Sequence, residues 1–311
     1  MREVPSVPRF DMAAHVRRIN SQDKLATGIL TAIVALVLVV LAAIVIYILV
    51  AGAQKLFDVG FLTGKPQQFK AGGGIGPELF NSFYLLVLTL IISVPLSLGA
   101  AIYLSQYAPE NWVTNVAKTI IETLSSLPSI VVGLFGFLFF VLTMGWGFSV
   151  IAGAVALTMF NIPILVRTCQ QALEDVPRSQ RDAALAMGLT RWETAIHVLL
   201  PAAMPAIVTG IVLSAGRVFG EAAALIFTAG QSAPVLDFTC FDLTSPSCPW
   251  NVFRPAETLA VHIWKINSEG VVPDLEAISN GTAAVLMVCI LAFNLIARFV
   301  GKFLERRLAS E

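Results

Sequence analysis

LATGILTAIVALVLVVLAAIVIYILVAGA, residues 25–53, runs for 29 residues without a charged side chain. About 20 apolar residues in a helix cross the ~30 Å hydrocarbon core of a bilayer, so this run spans with length to spare. It is longer than the roughly 7–15-residue apolar core of a secretory signal, and no small-residue cleavage site is evident, so it reads as a retained membrane helix. Ahead of it, Arg2, Arg9, Arg17, Arg18 and Lys24 outnumber Glu3, Asp11 and Asp23, which places the N-terminus on the cytoplasmic side. The segment from Arg9 to Leu25 reads equally as an amphipathic helix on the membrane surface or as a solvated tail.

The rest of the chain repeats the pattern. Of its 311 residues 57% are hydrophobic and only 13% charged, against roughly a quarter charged in soluble domains, so the bilayer is its solvent. Net charge is zero, which removes any general case for nucleic-acid binding. Predominantly apolar stretches long enough to span recur near 26–51, 82–106, 124–144, 147–167, 204–229 and 281–300, predicting six transmembrane helices. The connection after Arg167 holds Arg178, Arg181 and Arg191, and the C-terminal tail holds Arg298, Lys302, Arg306 and Arg307, whereas the last long connection is acidic. Both termini and 168–200 are therefore expected inside, with 52–81 and 230–280 outside. Cys240 and Cys248 fall in that outer connection, where a disulfide between them and two unpaired thiols both remain open, because spacing does not fix connectivity.

Catalytic signals are weak. Gly60, Gly64 and Lys65 do not complete a phosphate loop, and Gly72 to Gly76 lacks the strand-to-helix setting of a nucleotide site. His15, His197 and His262 have no metal-ligand spacing, so neither a metal nor a catalytic group is expected.

The most specific pattern lies in the inner connection. Asp182-Ala183-Ala184, Gly188, Val198, Leu200 and Pro201 follow the spacing E-A-A-x3-G-x9-I-x-L-P, with Asp for Glu and Val for Ile. Asp182 falls in an early helical turn, where a carboxylate complements the dipole, the alanines are small, and Gly188 can take the left-handed conformation that stops a helix. A plain helical hairpin is the simpler alternative. The spacing resembles the coupling motif of ABC importer permeases, in which a short helix, a Gly turn and a second helix sit in a groove of a cytoplasmic ATPase. A second run, Ser126-Leu127-Pro128-Ser129-Ile130-Val131-Val132-Gly133-Leu134-Phe135-Gly136, is similar to phosphate importer permeases of the PstA type. Gly74-Ile75-Gly76-Pro77, Arg167-Thr168 and Arg217-x-x-Gly220-Glu221 extend that likeness. As physics the run reads as a proline kink with glycine packing.

Arg217 stands out on physics alone. In a helix from Ala203 to Ala229 it lies near the midplane, where insertion costs an arginine about 2.5–3.5 kcal/mol. Glu221 follows at i+4, and Gly210, Ser214, Arg217, Glu221, Ala224 and Thr228 form one small or polar stripe. The pair reads either as a buried lock between helices or as a substrate-pathway element in which the guanidinium attracts an oxyanion. Arg167 matches a further family position, although near a helix end it can simply snorkel.

The expectation is an all-α membrane protein, a six-helix ABC importer permease bundle with a cytoplasmic coupling helix. It divides into a cytoplasmic tail 1–24, a permease domain 25–305 holding the coupling segment 173–201 and the periplasmic loop 230–280, and a cytoplasmic tail 306–311. The resemblance implies a phosphate permease of a bacterial inner membrane, with no cofactor of its own. Its implied partners are a second, PstC-like permease, two cytoplasmic ATPase subunits carrying ATP and Mg, and a periplasmic phosphate-binding protein. Alternatives are a permease for another oxyanion such as sulfate or phosphonate, an ion-coupled secondary transporter, for which no internal repeat is visible, and an assembly factor.

Overall fold

The computed structural model describes residues 12–67, 70–232, 234–269 and 272–308, and the described residues are helical or irregular throughout. Residues up to Val50 form one unit and those from Ala51 a second.

The first unit is most of helix α1 (Met12–Leu56). Apolar side chains such as Leu36, Val39 and Tyr47 are exposed all round it, the surface of a helix solvated by lipid. The span expected from residue 25 thus continues a helix already formed at Met12. Residues 1–11 and 309–311, on which parts of both tail expectations fall, lie outside the described residues.

The second unit continues with α2 (Val59–Thr63), α3 (Gly76–Ile102), α4 (Trp112–Ser125), α5 (Ser129–Gly136) and α6 (Val150–Glu174). After these come α7 (Arg178–Ala186), α8 (Arg191–Thr194), α9 (Leu200–Phe219), α10 (Ala223–Thr228), α11 (Leu259–Glu269) and α12 (Leu275–Leu308). Short π-helical stretches extend α3 (Tyr103–Tyr107) and α5 (Phe137–Thr143), and Ala195–Leu199 joins α8 to α9. Among the described residues, five helices are long and apolar enough to cross a membrane, six if one bent pair counts as a span.

That bent pair replaces the single, kinked span expected at 124–144. Asn111 caps α4 by accepting from Thr114 N at 2.9 Å. At the other end Pro128 disfavours helical geometry at Leu127 and ends the ladder, and the chain turns by 97° into α5 and its π-helical extension.

The core joins α3, α6, α9, α10, α12 and the segment 256–266, with Leu85, Leu157, Phe219, Leu225 and Leu259 at its centre. Polar groups inside it are paired between helices: Asn161 donates to Ser93 Oγ at 3.2 Å, and Ser214 donates to Asn161 Oδ1, linking α3, α6 and α9. In lipid such bonds are worth about 0.6–2 kcal/mol each.

The connection 230–280 is far more than a loop. Besides α11, it satisfies the first N–H groups of α6, with Val150 N donating to Arg254 O (2.9 Å) and Ile151 N to Val252 O (2.8 Å). Arg254 is buried, and its guanidinium donates to Asn81 Oδ1 (2.8 Å), to Pro249 O (3.0 Å) and to Pro255 O (3.2 Å). Burial lowers its pKa to about 10, so it stays charged at neutral pH. Cys240 and Cys248 are unbridged in this structure, Cys248 Sγ donating to the Cys240 carbonyl oxygen at 3.2 Å.

Candidate functional site

The span expected at 204–229 is two helices. α9 ends at Phe219, Gly220 caps it, and α10 starts at Ala223. This break separates Arg217 from Glu221, which the i+4 spacing had paired: among the described residues they form no ion pair. Each instead serves a helix end. Arg217 occupies the last turn of α9, where a cation complements the carbonyl-rich terminus, and Glu221 Oε1 accepts from Ala224 N (3.3 Å) in the first turn of α10.

Arg217 is exposed, and its guanidinium carbon lies 4.3 Å from the centroid of the Phe160 ring of α6, a cation–π arrangement. No carboxylate among the described residues neutralises it. Ser214, one turn earlier, is tied to Asn161, the neighbour of Phe160, so a bonded three-helix joint holds the arginine's base. Beyond the break, α10 rests on α5 at very close range. A Cβ on Gly133 would stand 2.7 Å from Ala224 Cα, so only glycine lets these two short helices meet. The glycine packing expected of the 126–136 run therefore serves the broken helix.

Arg167 lies seven residues beyond Phe160 on α6, about 10 Å along the axis, and is not brought to Arg217. It is exposed and pairs with Glu122 Oε1 of α4 at 3.5 Å, in a hollow of about 340 Å³ that also carries Lys118, Glu174 and Asp175. Three acids against two bases make that hollow a poor anion site.

The connection between α6 and α9 folds as a capped knob. Gly188 has φ +90°, its N–H donates to Leu185 O (3.0 Å), and Leu189 N donates to Ala184 O (3.2 Å), the paired bonds of a Schellman motif that ends α7. Thr190 opens α8 with a capping box: Glu193 N donates to Thr190 Oγ1 (3.2 Å) and Thr190 N to Glu193 Oε2 (2.8 Å). Asp182 and Ala183 are exposed, Ala184 is buried, and Pro201 is half-buried in the first turn of α9. Asp182 stands fifth of nine residues in α7, past the first turn, so the dipole argument made for it fails. Met187 (76% exposed) and Trp192 (56%) give the knob an apolar tip that sequence spacing did not single out, although both lie inside the motif.

The profile of the family described as "Binding-protein-dependent transport system inner membrane component" matches residues 93–310. A probable ABC transporter permease protein, YqgI of Bacillus subtilis, is 49% identical over 288 residues, covering 93% of this chain and 98% of that protein. The phosphate transport system permease protein PstA of Yersinia pestis is 35% identical over 241 residues, covering 76% of this chain and 75% of its own length. In fold, the chain is similar to a bacterial ABC transporter involved in the import of the acidic polysaccharide alginate. The TM-score is 0.60 at 15% identity, over 93% of this chain and 98% of that one.

Proposed function

The chain belongs to the binding-protein-dependent transport inner-membrane component family, as a non-catalytic ABC transporter permease subunit, and on that footing we propose that it is the PstA-type permease of an inorganic phosphate importer. The observation that carries the anion reading is Arg217, an exposed guanidinium at a broken helix with an aromatic face behind it and, among the described residues, no carboxylate paired with it. Five N–H donors in a planar fork suit a tetrahedral oxyanion, and a transmembrane helix interrupted beside such a charge is a recurring way to build a transport site. Glu221, held by α10, sets the position of the break. The PstA name of a relative 35% identical supports phosphate over other oxyanions.

In this reading α7, the Gly188 turn and α8 dock into a cytoplasmic ATPase, which supplies ATP and Mg, and Met187 and Trp192 fill its groove. Arg191 to Phe219 is one helical run of 29 residues, about 40 Å long, with the knob at its start and Arg217 in its last turn. A displacement of the knob reaches the anion site along a single rod. The topology that follows places both termini and 168–200 in the cytoplasm and 52–81 and 230–280 outside, where a phosphate-binding protein delivers its cargo. A second, PstC-like permease completes the pathway, with two ATPase subunits below.

Purification of the chain in mild detergent, with mass spectrometry of whatever stays bound, tests the assembly. An ATPase and a second permease are the expected companions. Recovery of the chain with neither, under conditions that keep it folded, would count against the reading.

A further inference from the structure

Where α3 meets the outer segment, the protein buries more negative charge than it pairs. Glu78, in the first turn of α3, is 0% exposed, and neither of its carboxylate oxygens has a hydrogen-bond partner. It faces Glu257 and His262, and one donor atom from each of the three residues lies within 4.8 Å of the others. Glu257 is already answered: Lys265 Nζ donates to its Oε2 at 3.0 Å, and His262 Nδ1 stands 2.7 Å from its Oε1. The remaining buried cation there, Arg254, is spent on Asn81 and on backbone carbonyls. An ionised carboxylate left this way in a dry interior is strongly disfavoured, so Glu78 either holds a proton or is compensated by a cation.

We propose that Glu78, Glu257 and His262 bind one divalent transition-metal ion of the zinc class, which clamps the outer segment onto α3. Glu78 brings the unpaired carboxylate and Glu257, shared with Lys265, a second oxygen donor, and the imidazole, exchanging its 2.7 Å contact with Glu257 Oε1 for the ion, adds the nitrogen donor that selects zinc-like ions over magnesium or calcium. A four-coordinate ion at about 2.0–2.2 Å holds its donors about 3.3–3.6 Å apart, so closure from the observed spread takes a shift of about 1 Å, within the reach of three side chains. Lys265 on the outer oxygen of Glu257, and Asn81 Nδ2 on its main-chain oxygen (3.0 Å), already fix that ligand's orientation. The histidine spacing pointed away from any metal, because the ligands come from α3 and from the distant 257–262 segment, which only the fold unites.

The test uses the full chain in lipid nanodiscs, stripped with chelator, dialysed against micromolar zinc and analysed for metal content and thermal midpoint. The expected result is about one zinc per chain and a higher midpoint with zinc than with chelator, both lost in Glu78→Gln and His262→Gln, with zinc content at least ~10-fold lower. A wild-type chain that binds no zinc overturns the proposal whether or not the variants fold. So does a cobalt-loaded wild type whose spectrum shows thiolate ligation, which would put the ion on cysteine. Glu78→Gln that stabilises the metal-free chain while wild type takes up no zinc would assign the compensation to a proton.

Discussion

Replacing Gly188 by valine isolates the turn that shapes the knob. The native φ is +90°, a region that costs an L-residue about 1–3 kcal/mol, toward the upper end for a β-branched side chain. A Cβ built at Gly188 meets nothing within 4 Å, so no clash inside the protein adds to this strain. The bundle therefore stays folded, and the chain relieves the strain by abandoning the Leu189-to-Ala184 and Gly188-to-Leu185 bonds, which re-aims α7 against α8. If the ATPase binds the native turn, that strain is charged to docking, and 1–3 kcal/mol corresponds to roughly a 5–150-fold loss of affinity. Gly188→Asn separates backbone from bulk, because asparagine tolerates the left-handed region. Titration of the purified ATPase onto nanodisc-held chain should rank glycine and asparagine together, alanine lower and valine lowest, with equal thermal midpoints for the membrane bundle. Valine binding as tightly as glycine, or asparagine failing as badly as valine, would refute the role assigned to this turn.

Arg217→Gln should leave assembly intact and abolish anion uptake in vesicles, whereas Arg217→Lys, keeping the charge without the fork, should retain a fraction of it. Full uptake by the glutamine variant removes Arg217 from the pathway. Gly133→Ala forces a methyl to within 2.7 Å of Ala224 Cα and should cost about 1–3 kcal/mol, read as a lowered thermal midpoint, while alanine at Gly188 leaves the midpoint unchanged. In the 230–280 connection, Asp237 and Asp242 each accept from the hydroxyl and N–H of the residue two on, Thr239 and Thr244, which lowers their pKa. The order these carboxylates supply is thus complete above about pH 4 and fades as pH falls through their lowered values, so protection from hydrogen exchange at 237–244, taken relative to the intrinsic rate at each pH, should drop only in that acidic range.

The long apolar runs were legible because hydrophobicity along one dimension marks a span directly: 82–106 and 281–300 fall inside observed helices, and 147–167 starts three residues before the helix Val150–Glu174. The Gly188 turn was legible too, since a glycine at fixed spacing between helix formers carries its own backbone reason. Breaks inside apolar runs were not. Pro128 reads as a kink from sequence but turns the chain by 97°, and the continuous apolarity of 204–229 conceals the interruption at Gly220, for which the adjacent Gly220-Glu221 pair was the available sign. The i+4 logic for Arg217 and Glu221 failed for that reason alone. Burial of Arg254, Glu257 and Lys265 was hidden as well, because charges in an outer connection look solvated unless their partners are known, and Asn81 lies 173 residues from Arg254.

Reconstitution of the chain in proteoliposomes with its companion permease, the ATPase and the external binding protein, followed by labelled-phosphate accumulation with and without ATP, tests the central claim most directly. The account predicts accumulation that requires ATP, is lost with Gly188→Val in the docking knob or Arg217→Gln at the broken helix, and is not competed by sulfate. Accumulation without ATP, or an assembled transporter that drives sulfate and leaves phosphate outside, would contradict it.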